Sequence, residues 1–445
     1  MVAAALEKLP TGLLIDIAKL LPLEDVKNVS RTSWAMHDAM LRLLFRTLSI
    51  TCPSSPDRDL DGFIDRYKEV ISRLHIRISL NPQREEITAN RPEGEPIASV
   101  WGASPETVDK VKDLVCGQNL SHIETVIIEF DQEEFEKKDE RDTLDRDFDG
   151  AHFTQESETW DQAHQEENKF LWRAQYTEIW GDVAANPNIK KLSIINFVAR
   201  LSQAWKSPRW EAFIERLQDL DISIMGAYLP TYRCAHTTPG FCDFIKAWPG
   251  FMMRHANNVR RLRLEASYTG LFGFTSDSQA VPMPLTDGIL PSLRSLQVKD
   301  LIVGHELLDF IKDHADSLQE LELHDCACSS RGDELRWSGI WERIRQINKA
   351  LIKVSFIQDS DPGLSYDTIE DVQASNKIYE AVENDESLIL WRYAQANSHC
   401  GIVNEHYEEV MARFWTGEDQ SEYEKLLRVV KERREIPSRQ ILNIL

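Results

Sequence analysis

One three-point apolar pattern recurs eight times along this 445-residue chain and constrains its fold more than any other feature. An apolar residue at i is followed by others at i+3 and i+5, in β-prone surroundings. The instances are Ile71-Leu74-Ile76, Ile123-Val126-Ile128, Ile189-Leu192-Ile194 and Leu217-Leu220-Ile222, then Val259-Leu262-Leu264, Leu293-Leu296-Val298, Leu318-Leu321-Leu323 and Leu351-Val354-Phe356. The last six start 28, 42, 34, 25 and 33 residues apart. Side chains of an extended strand alternate between its faces, so i+3 and i+5 share one face while i+2, i+4 and i+6 take the other. Each instance therefore reads as a short strand with one apolar face.

Helical patterns lie between these strands. Ser104-Pro105-Glu106 is a helix start with proline at the first position, and Val108, Val111, Leu114 and Val115 follow on one face. Trp210, Phe213, Ile214 and Leu217 form a second such face, Leu307, Leu308 and Ile311 a third, and Trp337, Ile340, Trp341, Ile344 and Ile347 a fourth. Helix–strand units in series that cannot bury their apolar faces alone stack on one another. The L-x-x-L-x-L spacing resembles the strand of a leucine-rich repeat, with repeat lengths above the usual ~20–29 residues. The expected fold is thus an α+β or α/β repeat: an irregular leucine-rich-repeat-like solenoid over residues 51–358. An ordinary α/β or α+β domain is the alternative. From Asp359 onward helical patterns dominate, at Ile378 to Val382, Leu388 to Tyr393, Tyr407 to Trp415 and Tyr423 to Val430. The region 359–445 suits a helical cap on the end of such an array.

Ahead of the first strand pattern, Leu9 to Ile50 reads as three short helices. Leu13, Leu14, Ile17, Leu20 and Leu21 fall on one helix face, Pro22 stops that helix, Val26 and Val29 mark a second, and Trp34, Met40, Leu41, Leu44 and Phe45 a third. Three short helices cannot bury this much apolar surface among themselves, which points to a docking module over residues 1–50. The Leu9-Pro10 start, the Leu13-Leu14-x-x-Ile17 turn, the Leu21-Pro22-x-x-Asp25-Val26 elbow, Val29-Ser30-Arg31 and the closing Leu43-Leu44-Phe45-Arg46 together resemble an F-box of the form common in fungal proteins. Gly12 departs from that pattern where an acidic residue is frequent, and Ser30-Arg31 stands where Cys-Lys is. The resemblance implies docking onto a Skp-family adaptor and, through it, a cullin ubiquitin ligase of the SCF type. The residues it implies for that contact are Leu9, Pro10, Leu13, Leu14, Ile17, Leu20, Leu21, Val26 and Val29.

Composition bounds the remaining classes. A net charge of −22 argues against a nucleic-acid or anionic-membrane partner, because neutralising phosphate requires clustered Lys and Arg. Met1 to Leu6 lacks the basic start and apolar run of a signal peptide, and no run approaches the ~20 apolar residues of a membrane span. Seven Cys spread over the chain suit a reducing compartment, so a cytoplasmic or nuclear location is expected. Residues 131–168 hold 15 acidic against 4 basic residues, a net −11, and few aliphatics, so a disordered acidic insert is expected there. The stretches 230–256 and 267–290 read as loops, the first with a helix around Phe244 to Trp248.

Neither a phosphate-binding glycine loop nor a nucleophile elbow nor an H-E-x-x-H helix occurs. His324, Cys326 and Cys328 fall together after one strand, and Cys234, His236 and Cys242 in one loop, but neither set has the paired spacing of a zinc site. No cofactor, metal or catalytic residue is expected. The expected function is a substrate adaptor, with a protein substrate lying on the polar strand face. Arg261, Arg263, Lys299, Glu322 and His324 are its candidate contacts. An F-box scaffold without a ubiquitination role and an enzyme with a site too diffuse to read are the alternatives.

Overall fold

A computed structural model describes residues 9–55, 60–81, 87, 97–133, 156–226, 234–267, 269–275, 280–329, 335–359, 369–385, 387–396 and 403–442. Helices α1 (Thr11–Ala18), α2 (Leu23–Ser30) and α3 (Trp34–Leu44) come first, then β1 (Thr47–Cys52), α4 (Leu60–Tyr67), β2 (Arg73–Ile78), α5 (Pro105–Val115) and β3 (Thr125–Phe130). Next are α6 (Trp160–Lys169), α7 (Leu171–Ala185), β4 (Lys191–Phe197), α8 (Pro208–Arg216), β5 (Asp219–Ile224), α9 (Pro239–Trp248) and β6 (Arg261–Glu265). A hairpin of β7 (Phe274–Thr275) and β8 (Ala280–Val281) precedes β9 (Ser295–Lys299), β10 (Ile302–Val303), α10 (His305–Asp313), β11 (Glu320–His324) and β12 (Ala327–Ser329). The chain then forms α11 (Trp337–Ile347), β13 (Lys353–Ile357), α12 (Ile369–Asn384), β14 (Tyr393–Ala396), β15 (Val403–Glu405), α13 (Tyr407–Thr416) and α14 (Glu418–Leu442).

Nine strands make one sheet in the order β1-β2-β3-β4-β5-β6-β9-β11-β13, every neighbouring pair parallel. The fold is therefore α/β, a nine-stranded parallel sheet with flanking helices. This corrects the expected architecture of a helical F-box followed by a leucine-rich-repeat-like solenoid with a helical cap. The eight apolar patterns do mark strands, β2 to β6, β9, β11 and β13, and their i+3 and i+5 residues are buried, apart from the half-buried Phe356. What the pattern did not carry is the connections. Strand starts are between 25 (295 to 320) and 66 (125 to 191) residues apart, and the long connections bring their own helices and aromatics into one shared core. In that layer Trp205 stacks on Phe251 with ring centroids 4.5 Å apart, and Trp180 packs edge-on to Tyr176 and Phe197. Each such side chain contributes on the order of 1.5–3 kcal/mol of gross burial.

Buried asparagines tie one connection to the one before it. Asn186 donates from Nδ2 to the Val115 carbonyl at 2.9 Å, and its Oδ1 accepts from the Asn188 N–H at 3.0 Å. The side-chain oxygen of Asn348 accepts from the N–H groups of Ala350 and Leu351 at 2.9 and 2.8 Å. These bonds satisfy backbone groups that the turns into β4 and β13 would otherwise bury unpaired.

Residues 156–168, expected within a disordered insert, are ordered in part as α6, which opens with Thr159 accepting from Gln162 N–H and Gln162 returning the bond in a capping box. Charge counting missed this because the acids are paired with Arg173 and Arg200, residues outside the counted window. Of the remainder of that expected insert, 131–133 are described, following β3, and 134–155 lie outside the described residues. At the other end, Leu388 to Tyr393 is not helical; Tyr393 starts a strand of a second sheet, ordered β10-β12-β14-β15. Helix α14 packs there, and the Tyr423 hydroxyl accepts from the Phe356 N–H of edge strand β13 at 3.1 Å. Among the described residues no helix is long and apolar enough to cross a membrane.

Candidate functional site

Two surfaces stand out. The first is the N-terminal helical unit. Proline precedes both α1 and α2, and Ser33 caps α3 by accepting from the Met36 N–H at 3.3 Å. The three helices share a small core of Leu14, Ala18, Val26, Met36, Ala39 and Met40, separate from the main one. Phe45 joins the unit to the sheet domain by stacking on Tyr67 at 3.9 Å. Of nine exposed large hydrophobic side chains among the described residues, six lie here: Leu13, Ile17, Leu20, Leu21, Leu23 and Trp34. Leu20 and Trp34 are 85 % and 86 % exposed.

The nine residues that the sequence suggested for adaptor contact divide in two. Leu13, Ile17, Leu20 and Leu21 are exposed together, with Pro10 beside them. Leu14 and Val26 are buried, at 6 % and 3 %, and hold the three helices to one another. Leu9 and Val29 are half-buried against that small core. They support the surface from beneath rather than forming it. Leu23 and Trp34 were missed, and both occupy first positions of their helices, where a heptad-like stripe does not look.

The second surface is the polar face of the large sheet, whose outward positions alternate with the buried ones. Parallel register sets these side chains in rows across the strands. Arg261 is directly opposite Asp219, and Arg263 opposite Asp221. Arg261 donates from Nε and Nη2 to the two Asp219 oxygens at 2.9 and 2.5 Å, while Lys191 reaches the same carboxylate at 3.0 Å. Burial pushes Asp219 up, yet the bonds from Arg261 and Lys191 hold it below the usual carboxylate range. Arg263 pairs with Glu265 at 2.9 Å, and Glu265 also accepts from Lys299 at 2.9 Å. Glu322 accepts from the Ser355 hydroxyl at 3.1 Å. All five substrate-contact candidates therefore share one face; Arg261, Arg263, Lys299 and Glu322 are engaged within it, and His324 with carboxylates beyond the strand ends. A partner would have to exchange these pairs rather than find bare charges.

At the carboxyl ends of β11 and β13, His324 Nε2 lies 2.9 Å from Asp359 and 3.4 Å from Asp325. These three donor atoms lie within 4.8 Å of one another, a spacing that could hold a cation. By sequence spacing His324 falls beside Cys326 and Cys328 instead. The structure turns both thiols inward, where Cys326 donates to the Val298 and His324 carbonyls and Cys328 to that of Leu335. Burial pushes the Cys326 thiol up to about 12, favouring the protonated form that donates these bonds. Asp359 was missed because it follows β13, 35 residues away, and only strand pairing brings it in. Nearby Asp300 is pushed up to about 6, first by burial and, against the pull of Lys299, by the charges of Asp325 and Glu265.

Comparison with protein-family models and with curated proteins found no match.

Proposed function

We propose that this chain is a substrate-recognition adaptor of an SCF-type ubiquitin ligase. In this reading the N-terminal helices are an F-box that docks a Skp-family adaptor, and the polar face of the sheet receives a protein substrate. The observation that carries it is the concentration of exposed apolar side chains, Leu13, Ile17, Leu20, Leu21, Leu23 and Trp34, on a unit that has its own small core. A cluster of this kind on a small helical unit marks an interaction surface. Leu14 and Val26, within that core, set the helix spacing that holds the cluster together.

The sheet supports the other half of the reading. All-parallel sheets are ordinarily covered on both faces. Here Arg261, Arg263, Lys299, Glu322 and His324 lie on a face of paired polar residues instead. Such a face discriminates through matched hydrogen bonds and charge, with affinity supplied by the shape of the contact. Ubiquitin transfer would occur on a partner enzyme; this chain would raise the effective concentration of a substrate lysine near it.

The test is co-purification of the full chain with a Skp-family protein. Leu13→Asp with Ile17→Asp is expected to abolish the association while the unfolding transition of the sheet domain stays in place. Association undiminished in the double variant would sink the reading.

A further inference from the structure

Glu158 plunges into the protein from an otherwise exposed segment. Glu156, Ser157 and Thr159 face solvent, whereas the Glu158 side chain is 6 % exposed. Two guanidiniums and one backbone amide meet its carboxylate. Arg173, wholly buried on α7, donates from Nη2 to Oε1 at 2.8 Å. Arg200, just past β4, donates to the same oxygen from Nε at 3.3 Å and Nη2 at 3.1 Å. The Leu201 N–H donates to Oε2 at 2.7 Å. Both guanidiniums lie over the Trp172 ring, 5.2 and 5.4 Å from its centroid. Glu166 completes the set from the rim: it pairs with Arg200 Nη2 and lies 3.2 Å from Arg173 Nε.

Two cations this deep require an anion, because an uncompensated buried charge costs several kcal/mol. Burial, and then the like charge of Arg200, pull the Arg173 guanidinium below its ordinary value. The cationic walls come from α7 and from the turn after β4. The anion comes from a surface segment earlier in the chain. Pocket walls and occupant belong to different segments: withdrawing Glu158 breaks its own bonds and the Ser157–Asp243 hydrogen bond, while Thr159 stays in place as the cap of α6. The occupant also leaves donors unused. Nη1 of Arg173 is buried without a hydrogen-bond partner, and its Nε has only the ion-pair contact with Glu166 at 3.2 Å. Both oxygens of Glu158 are already engaged, and a carboxylate has no third. A phosphate group presents more acceptor oxygens, in a tetrahedral array that arginine forks match.

We propose that Trp172, Arg173, Arg200 and the Leu201 amide form an oxyanion pocket that Glu158 fills in cis, and that a phosphate group takes its place when the 156–158 segment lifts. The site is independent of the adaptor reading above and would hold whatever the chain's N-terminal helices bind.

The full chain carrying Glu158→Ala and the wild type are titrated with inorganic phosphate, against chloride at matched ionic strength, following the unfolding midpoint and tryptophan fluorescence. The variant is expected to unfold at a lower temperature and to recover saturably with phosphate. Half-saturation should come at phosphate concentrations at least ~10-fold below those the wild type needs, because there Glu158 competes. Adding Arg200→Met should remove the response. A phosphoserine peptide binding the variant more tightly than inorganic phosphate would indicate a protein-borne ligand, and equal binding a free one. If Glu158→Ala does not fold, Glu158→Gln, which keeps the side-chain shape and one oxygen, is titrated in its place. A phosphate response no greater than that to chloride in the folded variant would overturn the proposal and leave Glu158 a structural anchor.

Discussion

Arg261 on β6 grips Asp219 on β5 through two parallel hydrogen bonds, 2.9 Å from Nε and 2.5 Å from Nη2, between residues placed directly opposite by parallel register. The pair shows how the polar face keeps its charges in order. It also sets a measurable limit on what that order is worth. Exposed ion pairs contribute only about 0.2–1 kcal/mol, and less as salt rises. Arg261→Ala is therefore expected to lower stability by no more than about 1 kcal/mol in denaturant unfolding at low salt, with the difference shrinking at high salt. Asp219 is held below the usual carboxylate range, so its contribution is present above the unfolded-state pKa and fades as pH falls through the lower folded value. The Arg261→Ala difference should accordingly narrow in strongly acid buffer.

Asp300 behaves in the opposite sense. Its pKa in the fold is about 6 against an ordinary 3.8, so the folded chain holds this proton more tightly than the unfolded one. The stabilisation it supplies is full below pH ~4 and is lost as pH rises through about 6. Asp300→Asn removes the titration while tolerating the positive φ of 56° at this position. The variant should gain stability relative to wild type as pH is raised from 4 to 7.5, read from denaturant midpoints. A difference independent of pH would contradict the assignment.

Leu13 and Leu14 are sequence neighbours with opposite fates. Leu14→Ala opens a cavity in the small N-terminal core and is expected to cost about 2–5 kcal/mol of that unit's stability. Leu13→Ala removes only exposed surface and should change stability by less than about 0.5 kcal/mol. Under the adaptor reading, Leu13→Ala alone lowers affinity for a Skp-family protein without unfolding anything. Amide exchange over residues 11–44 separates the two effects.

Tyr393, on β14 of the second sheet, ties α11 to α14. Its hydroxyl donates to Asp419 Oδ2 at 2.8 Å and accepts from the Trp337 N–H at 3.2 Å, while Asp419 Oδ1 accepts from the Ser338 N–H at 2.8 Å. Tyr393→Phe leaves the buried Trp337 amide and one Asp419 oxygen without this partner, at a cost of about 1–3 kcal/mol. The loss should appear as early exposure of the Trp337, Trp341 and Trp391 cluster in fluorescence-monitored unfolding.

Much of the strand layout was legible because a half-buried strand writes its burial into alternate residues. Leu220 and Ile222 face the core and Asp219 and Asp221 the polar side, as their spacing requires. β1 was not found as a strand, since Thr47–Cys52 follows the helical residues of the N-terminal unit without a pattern of the same form. The candidate docking residues were half legible. Periodicity located Leu13 and Ile17 with Leu14 on one stripe, yet a stripe cannot say which of its members faces inward when the partner helices are equally apolar.

Sequence by itself determined where most strands fall, which of their faces is apolar, and where the first helices begin and stop, because these follow from side-chain alternation, helical period and proline chemistry within a few residues of each other. Only the tertiary structure decided that the strands join in one nine-stranded parallel sheet, that Asp359 meets His324, and that Glu158 reaches Arg173 and Arg200. Those outcomes depend on the connections between strands, whose length and helices the local pattern does not encode, and on pairings between residues that nothing in their own neighbourhoods links.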